Sequence, residues 1–292
     1  MHKAGFVNII GNPNVGKSTL MNALVGENLS IITSKAQTTR HRIMGIVNGE
    51  DFQIVYTDTP GIVNPHYKLH ESMMQFVNTA LDDADLFLLV TEIGETFKNQ
   101  EVLLKIINSD VPVILVINKI DLSDQQTILD KMAYWKNQIP RAIIIPCSAT
   151  EKFNIEQIFD SILEHLPENP PYFPKDELTD RSMRFFVSEI IREKILLYYQ
   201  KEIPYSCEVA VESYEEHDGI DRISAIIFVE RESQKGILIG HKGQSLKKVG
   251  IEARHDIEEF TQKKCYLQLH IKVLKDWRNS DKALRQFGYN PE

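Results

Sequence analysis

FVNIIGNPNVGKST (Phe6–Thr19) is the stretch whose reading decides the fold. Phe6–Ile10 is a β-rich run, Gly11–Ser18 matches G-x-x-x-x-G-K-[ST], and a helical pattern continues from Lys17 to Val25. A glycine-bearing loop between strand and helix is the context that gives this motif meaning. Its backbone N–H groups close around a β-phosphate, and the helix N-terminus adds favourable dipole charge. Lys17 sets a cation on the β/γ oxygens, and the Ser18 hydroxyl binds Mg2+. Gly11, Asn12, Pro13, Asn14, Val15, Gly16, Lys17, Ser18 and Thr19 are therefore the expected phosphate-binding set.

Further along, β-rich runs at Ile43–Val47, Gln53–Tyr56, Leu86–Val90, Val113–Ile117 and Ala142–Ile145 alternate with helical patterns near 97–108, 126–137 and 154–165. Nearly unbroken apolar runs such as VPVILVIN fit strands buried on both faces, as in a parallel sheet. Right-handed crossovers then predict a doubly wound, mostly parallel α/β domain of the P-loop kind.

DTPG (Asp58–Gly61) ends one of these runs. Asp58 is placed to hold the Mg2+ hydration shell, and the Gly61 N–H to meet a γ-phosphate, with Thr59, Pro60 and Ile62 beside them. Between the two loops, ITSKAQTTRHRI offers Thr38 and Thr39 as Mg2+ ligands that release after hydrolysis. Thr39 is preferred because it directly precedes Arg40 and the next strand. Lys17, Thr39 and Gly61 form the expected catalytic set, and Ser18, Thr39 and Asp58 the metal set.

NKID (Asn118–Asp121) supplies base choice. The Asp121 carboxylate accepts from guanine N1–H and the 2-amino group; adenine lacks both donors, so the discrimination is large. Asn118, Lys119 and Ile120 brace and cover the base, and CSA (Cys147, Ser148, Ala149) presents the Ala149 N–H to guanine O6. The first domain is thus expected to bind GTP and GDP, and an ATPase is disfavoured by Asp121. Ras-type proteins carry a water-orienting glutamine after DTPG, but this chain has Ile62, so slow intrinsic turnover is expected. Asn14 and the switch loop ITSKAQTTRHRI are candidates to hold a monovalent cation, K+, near the β/γ bridge.

Length, charge and cysteines agree with a two-domain soluble protein. The chain has 292 residues, 42% hydrophobic and 25% charged, which excludes disorder throughout and a disulfide scaffold. The formal charge is −8, yet residues 1–170 carry 13 basic and 20 acidic groups while residues 235–292 carry 12 and 7. The total therefore hides a basic terminal segment. Cys147, Cys207 and Cys265 lack C-x-x-C spacing and read as reduced cytoplasmic thiols. The N-terminal sequence has no long apolar h-region, and no run reaches the roughly 20 residues of a membrane span.

ENPPYFPKDE (Glu168–Glu177) is a proline-rich linker, which sets the expected organisation as a domain over 1–170, a linker over 171–181 and a module over 182–292. The last shows helical spacing over Arg184–Tyr198, strands at Tyr205–Glu212 and Arg222–Glu232, two helices flanking Gly240–Gly243, and alternation over Cys265–Val273. The order α-β-β-α-α-β, with G-x-x-G as Gly240-His241-Lys242-Gly243 in the basic segment, predicts an α+β type II KH domain binding single-stranded RNA. Ile239, Gly240, His241, Lys242, Gly243, Lys247, Lys248 and Lys275 are the candidate RNA contacts, with Ile237 and Leu238 beside Ile239 in the expected groove. Arg278, Lys282 and Arg285 add basic charge, and Trp277 reads equally as a stacking platform or a packing anchor.

GNPNVGKST, AQTTRHR, DTPGI, NKID, CSA, the proline-rich linker and GILIGHKGQSLKKVG together resemble the Era family of bacterial GTPases over nearly the whole chain. The resemblance implies a GTP-dependent factor in maturation of the 30S ribosomal subunit, binding the 3′ end of the 16S rRNA. It also implies a cytoplasmic monomer with peripheral contact to the inner membrane, and Ile62 agrees with the family pattern. The alternative is a GTPase regulating cell cycle or metabolism, with the C-terminal module as a docking or membrane-surface element.

Overall fold

The structure, a computed structural model, describes residues 1–97 and 99–289. Its contacts divide the chain into two units: Met1–His66 with His70–Asp180, and a second made of Tyr67–Leu69 with the residues from Arg181 onward.

The first unit runs β1 (Lys3–Ile10), α1 (Lys17–Val25), β2 (Ile43–Asn48), β3 (Phe52–Asp58), α2 (Lys68–Asp82), β4 (Leu86–Glu92), α3 (Gln100–Asn108), β5 (Val113–Asn118), α4 (Gln125–Gln138), β6 (Ile143–Pro146) and α5 (Ile155–His165). The strands lie in the order β2-β3-β1-β4-β5-β6, and all pairs are parallel except β2 with β3. Helices cover both faces, so every residue of β5 is buried, as its unbroken apolar run requires. β1 sits between β3 and β4; the chain runs from β1 to β2 and β3 on one side, and from β4 to β5 and β6 on the other. Such a switch point opens a crevice at the strand's carboxyl end, where Gly11 begins.

α2 is absent from the sequence-based expectation. Its apolar residues Leu69, Met73, Val77 and Ala80 recur at helical spacing and are fully buried, but His70, Glu71, Ser72, Gln75 and Asn78 dilute the pattern. α3 starts later than the predicted 97–108 span because Asn99 caps it, its side chain accepting from Val102 N. Lys98, within that span, lies outside the described residues. The segment 169–180 packs on this unit: Gln53 Oε1 accepts from Tyr172 N (2.7 Å) and Phe173 N (2.9 Å). Ile46 N donates to Leu178 O at 2.8 Å.

The second unit runs α6 (Met183–Tyr198), α7 (Ile203–Ser206), β7 (Glu208–Glu215), β8 (Ile220–Val229), α8 (Glu232–Ile239), α9 (Gln244–Thr261), β9 (Lys264–Val273) and α10 (Asp281–Gln286). β7 and β8 are antiparallel, and β8 and β9 parallel. β7 begins after the predicted Tyr205 because Pro204 opens the short turn α7. β8 stops at Val229 because Gln234 Oε1 takes the N–H groups of Glu230 (2.9 Å) and Arg231 (3.0 Å), which starts α8 instead. One apolar cluster joins Val187, Ile191 and Ile195 of α6 to Ile223 and Ile227 of β8 and Val249 and Ile257 of α9.

Candidate nucleotide and RNA sites

α1, β3 and the loop before β2 bring three oxygen-bearing side chains to one point. Ser18 Oγ donates to Asp58 Oδ2 at 2.7 Å, Thr39 Oγ1 donates to the same oxygen at 3.2 Å, and the two hydroxyls lie 2.9 Å apart. Geometry separates the two adjacent threonines. Thr38 Oγ1 instead donates to Lys35 O at 2.6 Å and meets Thr33 Oγ1 at 2.6 Å. The donor set is entirely hard oxygen, which suits Mg2+ and not a soft metal.

Lys17 is buried, and its ammonium donates to Gly11 O (3.1 Å) and Asn12 O (2.9 Å) within its own loop. Burial lowers its pKa to about 8, against the opposing charges of Asp58 and Glu95. Burial also pushes the Asp58 carboxyl up, while Lys17 and the hydroxyls of Ser18, Ser30 and Thr39 pull it back down. Both polar groups are thus desolvated in the same crevice, where interactions with phosphate charge are strong.

Gly61 packs its backbone against the phosphate loop: a Cβ there would lie 2.7 Å from Pro13 Cα. Ile62 N donates to Gly11 O at 3.3 Å, and Thr59 Oγ1 to Ile9 O at 2.7 Å. Pro60 is buried within this loop. The Ile62 side chain turns into the apolar cluster with Ile10, Val77 and Leu89. It contributes no polar group to the crevice. Pro13, Asn14, Gly16, Lys17, Ser18, Thr19, Gln37, Thr38, Thr39, Gly61 and Lys119 line a cleft of about 350 Å³, with Ile31, Ile32, Thr33 and Ser34 also on its wall. Their loop was expected beside Asn14, but its role as a wall of the cleft carries no sequence motif.

The NKID and CSA loops are wired together. Asn118 Nδ2 donates to Val15 O at 2.9 Å, and its Oδ1 accepts from Lys119 N (2.8 Å) and Ala149 N (3.0 Å). The Ala149 amide, expected to face guanine O6, is thus engaged with Asn118. Lys119 Nζ donates to Asn14 O at 2.6 Å and pairs with Glu92, a partner the motif does not reveal. Cys147 and Ser148 are buried; burial, with Asp121 nearby, raises the Cys147 thiol to about 12. Asp121 is exposed and Ile120 partly buried.

In the second unit His241 and Lys242 are exposed at the tip of the Gly240–Gly243 turn between α8 and α9. Lys247 and Lys248 follow, both exposed, with Lys248 Nζ 4.1 Å from the centre of the Tyr198 ring. Lys275 is exposed after β9. The groove differs from expectation. Leu238 is fully buried in the core and Ile239 partly so. A separate groove of about 490 Å³ runs between α9 and β9, lined by Gly243, Leu246, Lys247, Gly250, Ile251, Arg254, Cys265, Tyr266, Leu267 and Leu269. Trp277 is an anchor: it is fully buried, and its Nε1 donates to Ser206 O at 2.9 Å. Arg278 is paired with Glu230.

Two family models match the chain: a 50S ribosome-binding GTPase model over residues 6–119 and a KH domain model over residues 202–278. The chain is 45% identical to GTPase Era of Syntrophus aciditrophicus, covering 99% of this chain and 96% of that protein. It is 43% identical to GTPase Era of Staphylococcus haemolyticus, covering 99% and 97%. Among solved structures, Era in complex with MgGDPNP and nucleotides 1506–1542 of 16S ribosomal RNA superposes with a TM-score of 0.95 at 37% identity, covering 100% of both chains. A point variant of Aquifex aeolicus Era bound to GDP.AlF4- gives 0.94 at 38% identity, covering 99% and 100%. With the phosphate loop, the guanine loops and the glycine-bounded turn all present in one chain of matching length, the chain belongs to the Era family of GTPases.

Proposed function

We propose that this chain is a GTP-hydrolysing, RNA-binding switch that acts on the 3′ end of the 16S rRNA during assembly of the 30S subunit. The observation that carries the reading is the convergence of Ser18, Thr39 and Asp58 on one point, in a chain that also exposes His241 and Lys242 at a glycine-bounded turn. The first is a device for sensing a γ-phosphate, and the second for gripping a nucleic-acid backbone.

Ser18 and Thr39 would ligate Mg2+ directly and Asp58 would hold its hydration shell; the ion would neutralise charge developing on the β- and γ-phosphates. Lys17 stabilises the same charge, with its ammonium already aimed into the loop by Gly11 and Asn12. The Gly61 N–H supports the γ-phosphate, and Asp121 selects guanine. Because Ile62 is buried, the chain offers no side chain there to orient water, and the intrinsic rate is slow. The Asn14 side chain, which donates to Ser34 O at 3.1 Å, brings its own oxygen and the 31–42 loop to the edge of the cleft, where K+ would offset charge at the β/γ bridge. Equal rates in potassium and sodium buffers overturn that part.

Cytoplasmic location, a monomeric state and peripheral membrane contact belong to the same proposal; among the described residues no helix is long and apolar enough to cross a membrane. The test is GTP turnover by the full chain with and without the 3′ segment of 16S rRNA. Stimulation that is lost in Lys242→Glu supports the reading. Turnover indifferent to that RNA, with no salt-dependent RNA binding, overturns it and leaves the C-terminal module as a docking element.

A further inference from the structure

Residues 31–42, which carry Thr39, form neither helix nor strand. Something other than a ladder must therefore hold the Thr39 hydroxyl over Asp58. At the far end of this segment, immediately before β2, Arg42 is buried and its Nη1 lies 2.6 Å from Asp83 Oδ2. Asp83 directly follows α2, the helix that leads away from DTPG. Its other oxygen, Oδ1, accepts from Asn8 Nδ2 at 2.7 Å, and that same nitrogen donates to Ala80 O at 2.5 Å. Asn8 is fully buried on β1, the strand that delivers the phosphate loop.

One carboxylate therefore ties together the Thr39 segment, the end of α2 and β1. We propose that Asp83 is a positioning residue for nucleotide recognition: through Arg42 it sets the resting place of Thr39, and so how readily the loop closes on a bound nucleoside triphosphate. The two oxygens have different partners, Arg42 on Oδ2 and Asn8 on Oδ1, which makes the arrangement directional. Without this tie, the Thr39 end of the loop would have more to order at each binding event. With Arg42 fixed, that ordering is largely complete beforehand. The role concerns the triphosphate state, since Thr39 releases when the γ-phosphate has gone.

This inference rests on Thr39 being the Mg2+-binding threonine, and the experiment separates the two. Asp83→Asn keeps the shape of the side chain and an acceptor for Asn8 but removes the charge that holds Arg42. In the full chain it is expected to weaken binding of a non-hydrolysable GTP analogue by on the order of tenfold, the scale of one charge-assisted hydrogen bond. GDP affinity is expected to stay within about twofold, because that state does not use Thr39. Hydrogen exchange of the 39–42 amides, measured without nucleotide or metal, is expected to speed up; Asp83→Glu is expected to restore part of both effects. Thr39→Ala is measured alongside. If Thr39→Ala lowers analogue affinity but Asp83→Asn changes neither the analogue-to-GDP ratio nor the exchange, the clamp is overturned alone. If Thr39→Ala leaves analogue affinity and its Mg2+ dependence unchanged, the Thr39 reading fails and the inference with it. A fall in melting temperature with equal loss of both nucleotides also overturns it, since that is what a purely structural residue would do.

Discussion

The Asn118 side chain accepts the backbone amide of Ala149 at 3.0 Å, joining the loop after β5 to the loop after β6. Its other end donates to Val15 O in the phosphate loop, so one buried carboxamide ties three loops. A Cβ on Gly16 would lie only 2.2 Å from Asn118 Nδ2, which shows how closely the loops pack. Asn118→Ala strands the Ala149 amide and the Val15 carbonyl. We expect a stability loss of about 1–3 kcal/mol in the nucleotide-free protein, read by chemical denaturation, and weakening of GTP and GDP together. Selective loss of one nucleotide would contradict the bracing role.

Gly61 faces Pro13 across the cleft, with room for a hydrogen and not a methyl group. Gly61→Ala must push apart the two loops that are expected to meet at the γ-phosphate. Turnover is expected to fall on the order of a hundredfold, the usual cost of displacing a backbone donor from developing charge. GDP affinity is expected to fall less than turnover, because the proposed γ-phosphate contact is made by Gly61 and the proposed β-phosphate contacts by the Gly11–Ser18 loop that it presses on. Single-turnover hydrolysis and GDP titration together check this.

The phosphate loop was legible because its chemistry resides in backbone amides and glycines, whose positions are fixed by spacing alone. The choice between Thr38 and Thr39 was not fully legible, since two adjacent identical hydroxyls differ only in which way the loop turns them. The groove residue Leu238 was misassigned for a related reason: helix α8 is apolar on more than one side, and only packing decides that Leu238 enters the core while Ile237 is exposed. Glu92 and Asp83 gave no signal at all. Each acts through a partner distant in sequence, Lys119 or Arg42, that only the sheet brings near.

The two glycines of the Gly240–Gly243 turn are not equivalent. A Cβ on Gly240 would meet Ser245 Oγ at 2.1 Å, and its φ of 71° with ψ of −177° is a conformation essentially restricted to glycine. Gly243, at φ 77°, has nothing within 4 Å of a built Cβ. Gly243→Asp therefore adds a negative charge beside Lys242 and Lys247 at a strain of about 1 kcal/mol. We expect it to fold and to lose RNA affinity by roughly tenfold or more at low salt, through repulsion of the phosphate backbone. Gly240→Asp is expected to lower the melting temperature as well, so only the first variant reports on the interface cleanly.

Acid should loosen the second unit through two carboxylates that the fold holds ionised. Asp221 accepts from Lys263 Nζ (2.6 Å), Tyr214 OH (2.9 Å) and His217 N (3.4 Å), and these bonds, that of Lys263 foremost, hold its carboxyl below the ordinary value. Glu258 at the end of α9 is likewise held down, by Lys264 Nζ at 2.9 Å and then by Cys265 N at 3.1 Å. A carboxyl whose folded pKa lies below its unfolded one contributes stability in full above the unfolded value, and loses it as pH falls through the folded value. With ordinary values of 3.8 and 4.5, the contribution is complete near neutrality and disappears progressively below that range. Trp277 is fully buried in this unit and Trp135 in the other, so Trp135→Phe leaves a single reporter. Denaturation followed by Trp277 fluorescence should show a falling midpoint as pH drops from about 6 to about 3. Asp221→Asn should lower the midpoint at neutral pH and flatten the acid limb. An acid limb as steep as that of the parent would mean that Asp221 does not govern it.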